Sequence, residues 1–268
     1  MKTKLFPLLR NWLAVVVLGI TATASHAAEP ASLPPREKFH LYLLIGQSNM
    51  AGRGLVEAQD KQPHPRVLTL TKEGRWVPAV DPIHFDKPIA GVGLGTTFGK
   101  VMAERDPTVT IGLIPCAVGG TPISRWQKDA DLYEAALKHA RAAAPHGVFQ
   151  GVLWHQGEAD SGKEETAKIY ATKLDTMIVA WRKDLEQPNL PVVVGQLGEF
   201  FAGGAGLKLV RETLQTLPDR VPHTGFAPAT DLNHKGDKVH FDAASYREFG
   251  RRYAAAMVKL QSAGAVGK

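Results

Sequence analysis

Four short stretches carry side chains that do chemistry, and they lie far apart in the chain. The first reads LYLLIGQSNMAGRG, Leu41 to Gly54: an apolar run stops at Gly46 and then presents Gln47, Ser48 and Asn49. A serine hydroxyl stays protonated at neutral pH and becomes nucleophilic only beside a base. DKVH, Asp237 to His240, offers that base near the opposite end. A carboxylate three residues before a histidine reaches the far ring nitrogen, fixes the tautomer and stabilises the imidazolium. Alone, Asp-x-x-His reads as a capping or surface pair. Set against Ser48 it completes the parts list for acyl transfer.

Acyl transfer also needs preorganised donors where an oxyanion develops. The Ser48 backbone N–H, a glycine N–H from Gly119-Gly120 and the side-chain amide of Gln156 are the candidates. Gly120 reads equally as a tight strand-to-helix turn, and Gln156 as a loop amide. Glu158, two residues on, is open to three roles: orienting His240, binding substrate, or holding Arg125 or another cation. His155 supports its loop, and Gln47 and Asn49 shape the loop around the serine.

Other chemistries fit less well. The nucleophile elbow of α/β-hydrolases is G-x-S-x-G, whereas Met50 stands where its second glycine belongs. No H-E-x-x-H or comparable spacing gathers the ten histidines into a zinc site. The reading therefore requires neither a metal nor an organic cofactor. A single cysteine, Cys116, excludes an intramolecular disulfide. Inside IGLIPCAV it reads as a small core residue.

The elements that must position these groups follow from periodicity. Short apolar runs at Leu41–Ile45, Thr110–Ala117, Gly151–Trp154, Pro191–Leu197 and, weakly, Thr224–Ala229 read as strands covered on both faces. Between them, Leu94, Phe98, Val101 and Met102 share one helical face, and Leu132, Ala136, Leu137 and Ala140 another. Tyr170, Leu174, Met177, Ile178, Trp181 and Leu185 line a third. Tyr246, Phe249, Gly250, Tyr253, Met257 and Leu260 line a fourth, with Asp242 as its N-cap. This alternation predicts a three-layer α/β/α sandwich around a mainly parallel sheet of about five strands. Residues 56–90 interrupt it as an insertion, in which VLTLTKEGRWVPAV reads as a β-hairpin turning at Glu73-Gly74. In such a sheet, ligands bind beyond the carboxyl ends of the strands. Four strand ends here are polar or glycine-rich, and together they mark a site.

The N-terminus lies outside that domain. Lys2, Lys4 and Arg10 precede the apolar run Trp12–Ile20 and a small-x-small exit at Ser25-His26-Ala27, the pattern of a secretory signal peptide. The run is shorter than the ~20 residues a spanning helix needs, so the expectation is cleavage rather than stable membrane insertion. The predicted organisation is a signal peptide at 1–27, a Pro-rich lead-in at 28–38, a catalytic domain at 39–262 and a tail at 263–268. Loss of residues 1–27 takes the net charge from +6 to +3, and no basic, aromatic-interleaved patch remains to bind nucleic acid. The expected location is periplasmic or extracellular.

GQSNMAG, GLIPCAVGGTPISRW, GVLWHQGEAD and DKVHF, in this order, resemble the SGNH (GDSL-like) hydrolases. They are similar more narrowly to the sialate O-acetylesterase-type group, which includes the acetylxylan esterases of carbohydrate esterase family 6. The resemblance spans Phe39 to Leu260 and implies a flavodoxin-like fold. It places the nucleophile on Ser48, the glycine oxyanion donor on Gly120 with Gly119 as its neighbour, the acid on Asp237 and the base on His240. The asparagine donor of the wider superfamily is absent here, which leaves open whether Gln156 takes over its role. The activity implied is removal of O-acetyl groups from carbohydrate. A general short-chain acyl or lipase-like esterase with the same residues is the alternative, separable by acyl-chain-length profile. A non-catalytic carbohydrate-binding protein is a more distant one.

Overall fold

The computed structural model describes residues 33–265. The segment read as a signal peptide, the start of the lead-in and the last three residues of the tail lie outside these.

Strands and helices alternate along the chain. β1 (Phe39–Gly46) runs into a single helical turn, α1 (Ser48–Ala51). Then come β2 (Val67–Leu70), β3 (Trp76–Pro78), α2 (Leu94–Arg105), β4 (Thr110–Pro115), α3 (Asp131–Ala143) and β5 (Val148–His155). Two consecutive helices, α4 (Glu164–Lys168) and α5 (Tyr170–Asp184), lead to β6 (Val192–Gly195). α6 (Leu207–Gln215), α7 (Leu217–Arg220), β7 (Thr224–Ala227) and the long α8 (Ala243–Ala265) complete the chain.

The strands form one sheet in the order β3-β2-β4-β1-β5-β6-β7. Every neighbouring pair is parallel except the β2–β3 hairpin. The five anticipated strands are all present, and the sheet has seven. The two extra strands come from the insertion: its hairpin turns at Gly74, and β2 adds in parallel to β4. A hairpin is legible locally, but nothing local says that one of its strands extends the main sheet.

β1 shows why the sheet needs helices on both faces. Phe39, Leu41, Leu43 and Ile45 pack to one side with α3, α5 and α6 residues such as Tyr133, Trp181 and Val210. Tyr42 and Leu44 pack to the other with α2 and α8 residues such as Phe98, Phe249 and Met257. Both faces are buried, so the strand reads as a continuous apolar run. On the second face α2 and α8 touch closely: a Cβ at Gly250 would stand 3.0 Å from the Phe98 backbone nitrogen. Asp242 caps α8 as its position predicts, its Oδ1 accepting the Ser245 N–H at 2.7 Å. That helix runs through Ala265, three residues into the segment read as a tail. Cys116 is half-buried against the core, and desolvation of its thiol pushes the pKa up to about 12.

The sheet order reverses its direction at β1, with β4 on one side and β5 on the other. A crevice at such a switch point is where open α/β sheets place ligands. Three backbone hydrogen bonds tie the strand ends there. The Gln47 N–H donates to the His155 carbonyl at 2.9 Å, Val118 N–H to the Gly46 carbonyl at 3.0 Å, and Cys116 N–H to the Leu44 carbonyl at 2.9 Å. Gly46 has φ +131°, and a Cβ on it would overlap the His155 carbonyl oxygen. Only glycine lets β1 end this tightly against β5.

Candidate active site

Ser48 is the first residue of α1, so its backbone N–H is one of the donors a helix start leaves without an intrahelical partner. The residue is 7% exposed. Its hydroxyl faces His240 across the cleft, with Oγ 3.0 Å from Nε2. On the far side of the ring, Nδ1 is 2.7 Å from Asp237 Oδ2.

The Asp-x-x-His turn builds this pair from local geometry. Asp237 Oδ1 accepts the backbone N–H of Val239 at 2.9 Å and of His240 at 2.8 Å, which leaves Oδ2 for the ring. Partial burial works to raise the Asp237 pKa. The two backbone bonds and the His240 ring outweigh it and hold the carboxyl well below the usual carboxylate range. An ionised Asp237 fixes the proton on Nδ1 and leaves Nε2 to accept from Ser48.

β7 lies two strands away from β5, so the loop that carries His240 must return across the sheet edge. Asn49 meets it there. Its Nδ2 donates to the Val239 carbonyl at 3.0 Å and to Glu158 Oε1 at 2.6 Å. Its Oδ1 accepts the Tyr246 hydroxyl at 2.7 Å and the Phe241 N–H at 3.4 Å. The residue beside Ser48 thereby clasps both neighbours of His240 in the chain.

Glu158 does not reach His240. It lies beneath Asn49, with Oε1 3.6 Å from Nε2 of the fully buried His155. Burial would raise its pKa, but the His155 ring and the Asn49 amide outweigh it and lower it. Tyr253 donates to the Trp154 carbonyl at 2.8 Å, so His155 Nδ1 donates in turn to the Tyr253 oxygen at 3.1 Å. The geometry gives Glu158 a role outside the three open to it from the sequence: it supports Asn49. Arg125 pairs instead with Asp131 at the surface.

The oxyanion donors divide. Gly120 adopts φ +80°, a conformation that favours glycine, and a Cβ there would meet nothing within 4 Å. Its N–H has no protein partner among the described residues and borders open space. The N–H of Gly119 is taken, donating to Asp86 Oδ2 at 2.8 Å. The expectation for Gln156 is corrected. It is fully buried, and its Nε2 donates to Asp160 Oδ2 at 2.6 Å, to the Thr121 carbonyl at 3.0 Å and to Gln47 Oε1 at 3.3 Å. Its amide braces the loop floor and is not presented to a substrate. A flipped amide would set its oxygen against the Asp160 carboxylate, so the network fixes the orientation. Gln47 joins the same floor, its Oε1 also accepting the Ala159 N–H at 3.4 Å.

Several of these partners escape a reading of the sequence alone. Asp160 also accepts the Ile123 N–H at 2.8 Å, coupling the loops after β4 and β5. Tyr246 reads only as a core position of α8, yet its hydroxyl serves Asn49. Arg53 and Asp86, discussed below, carry no spacing signal at all. Among the described residues, no cluster of His, Cys, Asp and Glu is arranged to hold a metal ion.

The chain is similar to known carbohydrate esterases. Residues 38–259 match the family described as carbohydrate esterase, sialic acid-specific acetylesterase. A relative from Arabidopsis thaliana, named "Probable carbohydrate esterase", is 32% identical over 244 residues, covering 84% of this chain and 91% of the relative. Its X-ray structure superposes with a TM-score of 0.77 at 30% identity, covering 84% of this chain and 99% of that one. The crystal structure of NanS shares the fold, with a TM-score of 0.70 at 17% identity over 86% of this chain and 99% of that one. So does a carbohydrate acetylesterase from Xanthomonas citri, with a TM-score of 0.63 at 23% identity over 81% of this chain and 55% of that one. The chain is a carboxylic ester hydrolase with an SGNH-type fold, and it belongs to the sialic acid-specific acetylesterase family of carbohydrate esterases.

Proposed function

We propose that the chain is an exported serine esterase that removes O-acetyl groups from carbohydrate through an acyl-enzyme intermediate. Ser48 is the nucleophile, His240 the general base and Asp237 the acid that orients it. The Ser48 proton passes to His240 Nε2 as Oγ bonds to the acetyl carbonyl carbon, and the carbonyl electron pair moves onto oxygen. That oxyanion rests against the N–H groups of Ser48 and Gly120. When the intermediate collapses, the bond to the sugar oxygen breaks and His240 Nε2 protonates the departing hydroxyl. Water then adds to the acetyl-serine, giving one proton to His240, and acetate leaves as Ser48 regains its hydrogen.

The observation that carries this reading is the relay from Ser48 Oγ to His240 Nε2 at 3.0 Å and from Nδ1 to Asp237 at 2.7 Å, beside an unpartnered Gly120 N–H. The basic-then-apolar N-terminus supports export. The test is hydrolysis of a chromogenic acetyl ester, and acetate release from acetylated glycans, by the purified mature chain. Ser48→Ala and His240→Ala should each lose at least three orders of magnitude in kcat. Wild-type turnover in either variant would remove that residue from its role.

A further inference from the structure

The insertion reaches the oxyanion loop through a buried ion pair. Arg53 lies just past α1, and Asp86 lies near the end of the insertion. Both side chains are 1% exposed, and Arg53 Nη2 stands 2.6 Å from Asp86 Oδ2. Arg53 Nη1 donates to the Gly52 carbonyl at 2.7 Å and approaches Asp86 Oδ1 at 3.3 Å. One oxygen does two jobs: Asp86 Oδ2 also accepts the Gly119 N–H at 2.8 Å. Gly119 itself is wedged between this pair and the nucleophile. A Cβ there would stand 2.6 Å from Arg53 Nη2, 3.1 Å from Asp86 Oδ2 and 3.3 Å from the Ser48 Cβ.

A surface loop of glycines holds no fixed geometry unless its backbone groups are bound. Here the Val118–Gly119 peptide, one before the peptide that carries the Gly120 N–H, is bound by a carboxylate that cannot leave, because its counter-charge is buried with it. Preorganised donors are effective because they need no reorganisation as charge develops.

We infer that Asp86 is a positioning residue for the oxyanion hole. Locked by Arg53, it fixes the Gly119 peptide so that the Gly120 N–H stays aimed at the space above Ser48. The inference rests on the roles of Ser48 and Gly120 given above. It assigns the insertion a part in the chemistry, in addition to any in choosing the sugar.

The test separates geometry from stability. Replacing a buried ion pair by apolar residues of similar volume is often neutral or stabilising. The double variant Arg53→Met/Asp86→Leu therefore keeps a packed loop while removing the acceptor for Gly119. Asp86→Asn keeps an oxygen able to accept that N–H and serves as the conservative rescue. Each is assayed with a chromogenic acetyl ester, by melting temperature, and by the rate at which a small sugar-free p-nitrophenyl phosphonate modifies Ser48. The phosphonate develops charge in the same hole without using any sugar subsite. The expected result is a kcat about a hundredfold lower in the double variant, with KM little changed. Phosphonylation should slow in parallel, and Asp86→Asn should recover most of both. A folded double variant with wild-type kcat would overturn the inference, as would a loss confined to KM. A double variant that does not fold passes the decision to Asp86→Asn and Arg53→Lys. Lowered kcat and phosphonylation in Arg53→Lys at native melting temperature, with near wild-type rates in Asp86→Asn, would support the inference, and wild-type rates in Arg53→Lys would overturn it. A wild-type chain inert to both reagents would overturn the parent reading and this inference together.

Discussion

Asn49 Nδ2 donates to Glu158 Oε1 at 2.6 Å, and the same amide holds the carbonyl of Val239, one residue before His240. The nucleophile turn and the base loop, 192 residues apart at Ser48 and His240, are thus joined by the residue next to the serine. Asn49→Ala should lower kcat by about tenfold to a hundredfold while leaving KM near wild type, because it frees His240 to move relative to Ser48. Steady-state kinetics on an acetyl ester check this. Unchanged kcat would show that the base loop holds its place without the clasp.

The two carboxylates near the site should separate cleanly. Asp237→Ala removes the group that fixes the His240 tautomer, so kcat should fall by about three to four orders of magnitude with a small change in melting temperature. Glu158→Ala leaves His155 and Asn49 without their buried partner. Breaking a buried pair costs about 3–5 kcal/mol, so its main signature should be a lower melting temperature. A larger kcat loss in Glu158→Ala than in Asp237→Ala would reverse the two assignments.

Asp81 predicts a pH dependence of stability. It is buried, and burial pushes its pKa up from 3.8 to about 7, although the Thr96 hydroxyl donates to it at 2.8 Å. In the unfolded chain the group ionises near the lower value. Its contribution to stability is therefore full below about pH 4 and is lost progressively as pH rises to about 7, a loss on the order of 4 kcal/mol. Asp81→Asn, which imitates the protonated form, should melt several degrees higher than wild type at pH 8. The difference should vanish near pH 4. Equal gains at both pH values would mean that folding leaves the Asp81 pKa unshifted.

Cys116 should be silent toward alkylating reagents. A thiol shifted to about 12 supplies almost no thiolate at pH 8. Iodoacetamide should leave the native protein unmodified and label it fully in denaturant. Labelling of native protein at the rate of a free thiol would contradict the raised pKa.

How much of this was legible in the sequence depends on how local each feature is. The Asp237–His240 pair is a four-residue turn, and its geometry follows from spacing. Asp242 caps α8 by the same kind of local rule. The strands β1, β4, β5, β6 and β7 and the helical stripes follow from periodicity, the strands as apolar runs covered on both faces and each helix by burying one face against the sheet. Gln156 misled because a polar strand end marks a site without saying which way an amide points. That direction is set by Asp160 and the Thr121 carbonyl, and the Thr121 contact lies 35 residues away in the chain. Arg53 and Asp86 are 33 residues apart across an insertion with no periodic pattern, so nothing local pairs them. α6 is hard to read from the sequence, although Leu207, Val210 and Leu214 have the right period. Its stretch is short and polar otherwise, and its apolar residues gain meaning only from packing against α4 and α5.

The most direct test of the account is to trap the acyl-enzyme. The mature chain is mixed with an activated acetyl ester, quenched in acid within milliseconds and digested, and the adduct is located by mass spectrometry. The account predicts one acetyl group on Ser48, formed and lost at rates consistent with kcat, and absent from Ser48→Ala. An acetyl group on another residue that turns over at the rate of kcat would contradict it, as would a Ser48→Ala protein that hydrolyses the ester at the wild-type rate.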